Sequence, residues 1–101
     1  MIRVLIKYEG NLIDSIEIKG HADMAKSGRD IVCAGASAIV IGCLNNLKNP
    51  KSIKITMDDG YTFIRKIDKV SEHDEVVLET LVCGLKTIQE QYPKFISIKN
   101  L

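Results

Sequence analysis

Hydrophobic and polar residues alternate along the start of the chain, and this period-two pattern predicts a β-hairpin. The side chains of Arg3 and Lys7 fall on one face of the first strand. The opposite face is apolar, with Ile2, Val4, Ile6 and Tyr8. Turn-forming residues at positions 9–11 follow, and Ile16 and Ile18 resume the alternation up to Lys19.

A second hairpin is predicted further along the chain by the same alternation. Ile53, Ile55 and Met57 alternate with lysine and threonine, and the pair Asp59-Gly60 is a strong signal for a two-residue turn. The returning strand begins with Tyr61, Phe63 and Ile64. We therefore expect two strands here as well.

The longest apolar stretch predicts a helix that begins at Asp30, a good N-cap residue. The helix is expected to run to about Asn49, because the sequence Asn49-Pro50 stops a helix. Almost every side chain between residues 34 and 47 is apolar. A helix without a polar face is normally buried on more than one side, so this one is expected to be the central helix.

The remaining segments predict a second helix and a short last strand. Ser71 followed by Asp74 resembles a capping box, with Asp in place of the usual Glu or Gln. Helical spacing then continues through Val77, Leu81, Leu85, Ile88 and Tyr92 until Pro93, and Phe95, Ile96 and Ile98 suit a strand. The predicted order is ββαββαβ, an α+β fold of one domain over residues 1–101, with a mainly antiparallel sheet packed against two helices.

The composition excludes several classes of protein. Hydrophobic residues make up 46% and charged residues 27% of the chain, as in an ordinary folded protein. Fourteen Lys and Arg residues against 13 Asp and Glu argue against a domain held on nucleic acid or on a membrane by its bulk charge. No segment resembles a signal peptide or a membrane span, and three cysteines form no disulfide framework. We expect a cytoplasmic protein.

The most reactive side chains meet around the segment between the first hairpin and the first helix. His21 precedes a polar loop, residues 20–29, that has no hydrophobic period and is expected to be exposed and mobile. Cys33 follows in the first turn of the predicted helix, where free N–H groups and the helix dipole favour a thiolate. This pair predicts a cysteine nucleophile with a histidine that exchanges protons.

Several neighbours could support that chemistry. Asp30 or Asp23 could orient the imidazole, and the N–H groups around Cys33 and Ala34 could stabilise an oxyanion. Ser37 lies one turn after the cysteine, where its hydroxyl could either bond within the site or bond its own helix backbone.

Other interpretations of these residues are weaker. A cysteine near a helix start is often only a small buried residue, and Cys43 and Cys83 are expected to be core thiols. A zinc deaminase site would need a proline before the cysteine and a second cysteine ligand, but Val32 and Ala36 occupy those positions. A phosphate-binding P-loop would need lysine and serine or threonine where Arg29 and Asp30 stand. The residues imply neither a metal nor an organic cofactor.

The sequence of the loop and helix start resembles the ribosomal-processing cysteine proteases called Prp. The resemblance is carried by Gly20-His21-Ala22, by Asp30-Ile31-Val32-Cys33-Ala34 and by Ser37, and it extends over essentially the whole chain. It implies that Cys33 is the nucleophile and His21 its partner. Because the 20–30 loop contains glycines, we expect it to adapt around the substrate, with Gly20, Ala22, Asp23 and Gly28 as its substrate-facing residues.

The resemblance also implies a substrate and an assembly. Members of the family remove a short N-terminal extension from the large-subunit ribosomal protein numbered twenty-seven, after an aromatic residue, and they are homodimers. No direct contact with nucleic acid or membrane follows from it. Two other functions remain open on the residues alone: a non-catalytic factor for ribosome assembly that binds the same protein, and a thiol redox sensor built on Cys33.

Overall fold

A computed structural model describes residues 1–26 and 29–101 of the chain. Within these residues, five strands, two α-helices and a single turn of 3₁₀ helix at Pro50–Ser52 follow one another. The strands are β1 (Ile2–Glu9), β2 (Leu12–Lys19), β3 (Ile53–Asp58), β4 (Tyr61–Lys66) and β5 (Ile96–Asn100), and the helices are α1 (Ile31–Leu44) and α2 (Glu72–Gln91). The predicted order ββαββαβ is confirmed.

All five strands join one sheet in the order β3-β4-β2-β1-β5. The two predicted hairpins are antiparallel, β2 pairs antiparallel with β4, and β5 pairs parallel with β1. The sheet is therefore mainly antiparallel, as the sequence predicts. Lys19 pairs with Tyr61, so the end of β2 lies beside the turn between β3 and β4.

One face of the sheet carries the hydrophobic core. Ile2, Val4 and Ile6 are buried, whereas Arg3 and Lys7 on the other face of β1 are exposed. Most buried apolar residues of both helices, among them Val32, Ala36, Leu81 and Leu85, belong to the same cluster as these strand residues. Two helices thus cover one face of the sheet, and the other face meets solvent.

The predicted end of α1 is wrong, because the helix stops at Leu44 rather than near Asn49. The chain tightens into turns after Leu44, and the N–H of Asn46 donates to the carbonyl of Cys43. The N–H groups of Lys48 and Asn49 then donate to the carboxylate of Asp74, each over 2.9 Å. This long-range partner satisfies N–H groups that a longer helix would have bonded internally.

The predicted burial of α1 on more than one side is also wrong. Val32, Ala36 and Val40 are buried, but Ile31 is 58% exposed and Ile41 is 47% exposed. Together with the exposed Ala34 and Ala38 they form one stripe along the helix, since their spacing is three, four and three residues. The sheet and α2 cover only part of this apolar helix.

The N-terminus of α2 confirms half of the predicted capping box. The hydroxyl of Ser71 accepts the N–H of Asp74 over 3.3 Å, as in such a box. The carboxylate of Asp74 does not return to Ser71 but binds the segment after α1. Helix α2 ends at Gln91, before Pro93, as predicted.

On the edge strand β3, Ile53 is buried, whereas Ile55 and Met57 are exposed. The prediction that both Cys43 and Cys83 are core thiols is corrected in part. Cys83 is exposed rather than part of the core, whereas Cys43 is half-buried against it and burial raises the pKa of its thiol. Among the described residues, no helix is both long enough and apolar enough to cross a bilayer.

Candidate active site

The site begins where β2 ends, at a glycine that no other residue could replace without strain. Gly20 has φ of +90°, and a Cβ there would lie 2.6 Å from the carbonyl oxygen of Met1. Its N–H donates to the carbonyl of Gly60 over 2.8 Å, which ties the start of the loop to the turn between β3 and β4. His21 therefore leaves the sheet from a fixed point.

The loop after His21 is more firmly held than its composition predicts. Ala22 is buried in the core, and its N–H donates to the Sγ of Cys33 over 3.2 Å. Asp23 adopts a positive φ of 56° and lies 3.7 Å from the N-terminal ammonium. The predicted exposure holds for Asp23 and for Met24 but is wrong for Ala22, whose methyl group belongs to the core. Gly28, predicted to contact the substrate, lies outside the described residues.

Asp30 is the N-cap of α1, as predicted, and it also fastens the loop. One carboxylate oxygen accepts the N–H of Cys33 over 3.0 Å, while the other accepts those of Met24 and Ala25. The hydrogen bond from Cys33, aided by those from the loop, lowers the pKa of Asp30 below its usual range despite desolvation. The carboxylate thus fixes the loop and the helix start against each other.

The structure brings most of the predicted site residues to one place. His21, Cys33 and Ser37 line two adjoining cavities beside the start of α1. The larger, of about 530 Å³, is also lined by Asp23, Asp30 and Ala34, and the smaller, of about 260 Å³, by Gly20. The smaller cavity has an apolar wall formed by Ile2, Ile18, Ala36, Val40, Ile41 and Met57.

The two predicted oxyanion donors already have partners. The N–H of Cys33 donates to the side chain of Asp30, and the N–H of Ala34 donates to the carbonyl of Asp30 over 3.0 Å. The backbone donor that does reach the sulfur of Cys33 belongs to Ala22. Sequence reasoning missed it because the contact joins residues on opposite sides of the loop.

Sequence reasoning also missed the surroundings of the His21 ring. Asp59 Oδ1 lies 3.9 Å from His21 Nε2, and Asp59 lines both cavities. A Cβ on Gly60 would lie 2.9 Å from the same nitrogen. The sequence signal at Asp59-Gly60 indicates only a turn, and the pairing of β2 with β4 is what carries this turn to the histidine.

The described residues contain no group of three or more His, Cys, Asp or Glu that could hold a metal ion. The two cavities are lined by thiol, imidazole, hydroxyl and carboxylate groups. A cysteine at a helix start, with a backbone N–H aimed at its sulfur and a histidine on the same cavity, suits nucleophilic catalysis.

Comparison with known proteins agrees with that chemistry. The sequence model of the family described as Cysteine protease Prp matches residues 1–97. The ribosomal processing cysteine protease Prp of Staphylococcus aureus (strain Mu50) is 37% identical over 95 residues, which cover 90% of this chain and 89% of that protein.

Two crystal structures of an essential ribosomal processing protease Prp from S. aureus have the same fold. One, in complex with a covalently linked product peptide, has a TM-score of 0.89 at 32% identity. The other, in complex with a substrate peptide, has a TM-score of 0.82 at 31% identity. In both comparisons the likeness covers 100% of each chain.

Proposed function

The chain belongs to the cysteine protease Prp family, and we propose that it cleaves the N-terminal extension from a large-subunit ribosomal protein with a Cys33–His21 dyad. The observation that carries the proposal is the shared cavity of these two side chains, with the Ala22 N–H bonded to the sulfur. A family of cysteine proteases requires one nucleophilic cysteine. Cys43 also shares a cavity with a histidine, His73, but burial raises the pKa of its thiol. Cys33 lies in the first turn of α1, and its sulfur accepts the N–H of Ala22.

The reaction follows from the groups present. The proton of Cys33 passes to His21, and the thiolate attacks the carbonyl carbon of the scissile peptide bond. The C–N bond then breaks as the imidazolium donates its proton to the leaving amine, which leaves a thioester on Cys33. Water, deprotonated by His21, attacks the thioester, the C–S bond breaks, and the thiol and the free carboxylic acid are regenerated.

The Ala22 N–H is the donor best placed to stabilise the oxyanion. Its nitrogen lies 3.2 Å from Cys33 Sγ. In the tetrahedral intermediate, the carbon bonded to this sulfur carries the oxyanion, so the negative charge forms close to the Ala22 N–H. Asp30 supports it indirectly, since its carboxylate holds the loop against the helix start. Ser37, exposed at the same cavities, offers a hydroxyl toward the bound peptide.

The smaller cavity suits the large apolar side chain that precedes the scissile bond. Its volume is about 260 Å³, and one part of its wall is formed by aliphatic side chains and Met57. An aromatic side chain buries about 150–250 Å² of surface when it packs against apolar groups, so it would anchor the peptide strongly in this cavity. This fits cleavage after an aromatic residue, with the 20–30 loop closing over the peptide.

The substrate class rests on the relatives. Curated relatives are named ribosomal processing cysteine proteases, and two solved structures of the S. aureus protease hold a product or a substrate peptide. The product there is linked covalently, as an acyl-enzyme route requires. We assign to this chain the large-subunit protein numbered twenty-seven as substrate, in the cytoplasm where ribosomes assemble.

The family resemblance further suggests a homodimer, and the exposed stripe on α1 supports it. Ile31, Ala34, Ala38 and Ile41 present an apolar surface that a second copy would cover. Sedimentation should give a dimer for the parent chain and a monomer for Ala38→Glu, which places a charge in the middle of the stripe. A parent chain that is monomeric at tens of micromolar concentration would contradict the proposal.

The test of the proposed activity is incubation with the N-terminally extended ribosomal protein, followed by intact-mass measurement. We expect two products whose masses sum to the substrate plus one water, with no other cut. Cys33→Ala should bind the substrate without cleaving it, since the change removes the sulfur and little volume. His21→Ala should lower kcat by about 10²- to 10⁴-fold, the usual contribution of proton transfer.

The two other functions would give different results. A non-catalytic assembly factor would bind the extended protein and leave its mass unchanged, with the parent and Cys33→Ala behaving alike. A thiol redox sensor would leave the protein uncut while Cys33 oxidised and recovered with a reductant. Cleavage that persists at the parent rate in Cys33→Ala would overturn the assignment of the nucleophile.

A further inference from the structure

The turn between β3 and β4 packs directly against the imidazole of His21. Asp59 Oδ1 lies 3.9 Å from His21 Nε2, and in the described part of the chain it is the only carboxylate within 4.0 Å of this ring. The neighbouring Gly60 has no side chain, and a Cβ there would press on the same nitrogen. The ring therefore rests against the turn, with its Nε2 edge facing Asp59.

We propose that Asp59 is the positioning residue of the dyad, which holds the His21 ring through Nε2 and leaves Nδ1 to exchange the proton with Cys33. The proposal rests on the proposed function of the Cys33–His21 pair. A proton-transfer histidine is generally oriented by a third group on its other ring nitrogen. Asp59 lies beside Nε2, at 3.9 Å, and it lines both cavities together with His21 and Cys33.

The two other acidic residues of the loop and helix start are engaged elsewhere. Both oxygens of Asp30 accept backbone N–H groups of the loop and of Cys33. Asp23 lies beside the N-terminal ammonium. Asp58, next to Asp59 in the turn, accepts the N–H of Asp59 over 2.9 Å and so shapes the turn. Asp59 is left to face the histidine.

The backbone holds Asp59 and His21 in register. The hydrogen bond from Gly20 N–H to the Gly60 carbonyl continues the ladder between β2 and β4 by one more pair. His21 and Asp59 each flank that pair, so neither can shift along the sheet without breaking it. Asp59 itself is 96% exposed in the free protein, and a peptide lying in the cavities would shield the pair from water and strengthen it.

The charge of Asp59 also favours the reactive form of the dyad. When the proton moves from Cys33 to His21, the imidazolium forms with its Nε2 3.9 Å from the carboxylate of Asp59. That attraction stabilises the thiolate–imidazolium pair relative to the neutral pair. The rate at which the Cys33 thiolate reacts with a small alkylating agent reports this effect and needs no peptide substrate.

Asp59→Asn is the variant that tests the proposal, because Asn-Gly is as good a turn sequence as Asp-Gly. We expect kcat for the extended ribosomal protein to fall about tenfold with KM changed less than twofold, a smaller loss than for a proton-transfer group itself. Asp59→Glu keeps the carboxylate and should recover most of kcat. Asp58→Asn is the control, since it removes a neighbouring charge and its side-chain oxygen still accepts the Asp59 N–H.

Alkylation gives a second readout that is independent of the proposed activity. Iodoacetamide should react with Cys33 of Asp59→Asn about two- to fivefold more slowly at pH 7, in line with a partly screened charge pair. Cys83, exposed on α2, serves as the internal reference in the same sample. If the parent did not cleave the ribosomal protein, the proposed function would fail, and this reaction would still test the Asp59–His21 contact.

The kcat and alkylation rates of these variants decide between the proposal and its alternatives. A fall in kcat and in Cys33 alkylation for Asp59→Asn, with recovery in Asp59→Glu and little change in Asp58→Asn, supports the proposal. Unchanged kcat and unchanged alkylation in Asp59→Asn overturn it. An equal loss in Asp59→Asn and Asp58→Asn would also overturn it, because the effect would then belong to the turn and not to the contact with His21.

Discussion

The backbone N–H of Ala22 donates to the sulfur of Cys33 across the loop that separates them, over 3.2 Å. This bond places the residue after His21 directly against the sulfur of Cys33. It exists because the Ala22 methyl group is buried in the core and the Asp30 carboxylate holds both ends of the loop. The sulfur of Cys33 therefore lies between a helix start and a fixed amide donor.

The first prediction concerns the three thiols. Cys33 should be alkylated fastest at pH 7, because its sulfur accepts the Ala22 N–H, lies at a helix start and faces two cavities. Cys83 is exposed without such donors and should follow, and Cys43 should be slowest, since burial raises the pKa of its thiol. Peptide mapping after timed exposure to iodoacetamide gives the three rates. A Cys33 rate no higher than that of Cys83 would contradict the account.

The second prediction uses two glycines with nearly the same backbone. Gly60 has φ of +67° and Gly10 has φ of +62°, each in a hairpin turn. Alanine at either position should cost about 1 kcal/mol of stability through left-handed strain. A Cβ at Gly10 meets nothing within 4 Å, whereas one at Gly60 meets His21 Nε2 at 2.9 Å.

Only Gly60→Ala should therefore impair cleavage, by about 10- to 100-fold in kcat, because small displacements of a catalytic group are costly. Thermal unfolding checks that the two variants lose similar stability, and steady-state kinetics compares their kcat. Equal activity in Gly60→Ala and Gly10→Ala would show that the His21 ring does not depend on its contact with the turn.

The third prediction concerns stability in acid. Asp74 is fully buried, and although desolvation opposes ionisation, hydrogen bonds from Lys48 and Asn49 and the nearby His73 hold the pKa of Asp74 below its usual range. Because the pKa of Asp74 is lower in the folded than in the unfolded state, its ionised form stabilises the fold at pH values above the unfolded-state pKa of about 3.9. This stabilisation is lost as the pH falls through the folded value.

Asp74→Asn should accordingly lower the free energy of unfolding by about 2 kcal/mol at pH 7, the scale of hydrogen bonds to a charged group. The difference from the parent should shrink as the pH falls below about 4. Urea unfolding between pH 3 and pH 7 measures it, with Asp68→Asn, an exposed site, as the control. A parent and an Asp74→Asn variant whose stabilities stay parallel over this range would contradict the role of the carboxylate.

The fourth prediction concerns the loop between His21 and Asp30. Its N–H groups at Met24 and Ala25 depend on the Asp30 carboxylate, so Asp30→Ala should raise hydrogen exchange at these positions. A bound, uncleaved peptide on Cys33→Ala should have the opposite effect and protect residues 20–30. Exchange that does not change at saturating peptide would mean that the loop does not close over the substrate.

Local signals in the sequence predict much of this fold, while contacts between distant segments decide the rest. The alternation in both hairpins, the Asp30 cap and the stop before Pro93 are local, and the structure confirms them. The early end of α1 was not predictable, because it depends on Asp74 binding the N–H groups of Lys48 and Asn49. The exposure of Ile31 and Ile41 likewise depends on how far the sheet and α2 reach.

The same division holds for the candidate site. His21, Cys33 and Asp30 lie in one short segment, so their types and spacing were enough to bring them together. The Ala22 donor depends on the path of the loop, and the contact between Asp59 and His21 depends on the pairing of β2 with β4. A pattern along the chain identifies reactive groups, but it does not show which atom each one faces.

The measurement that tests the central claim most directly is an acid quench of the reaction within its first turnovers, followed by intact-mass and peptide mapping. We predict a population of protein heavier by the released N-terminal extension minus one water, with the added mass on the peptide that contains Cys33. That population should be absent in Cys33→Ala. If product formed during the first turnovers without any adduct on the protein, or with an adduct on Cys83, the result would contradict Cys33 as the nucleophile.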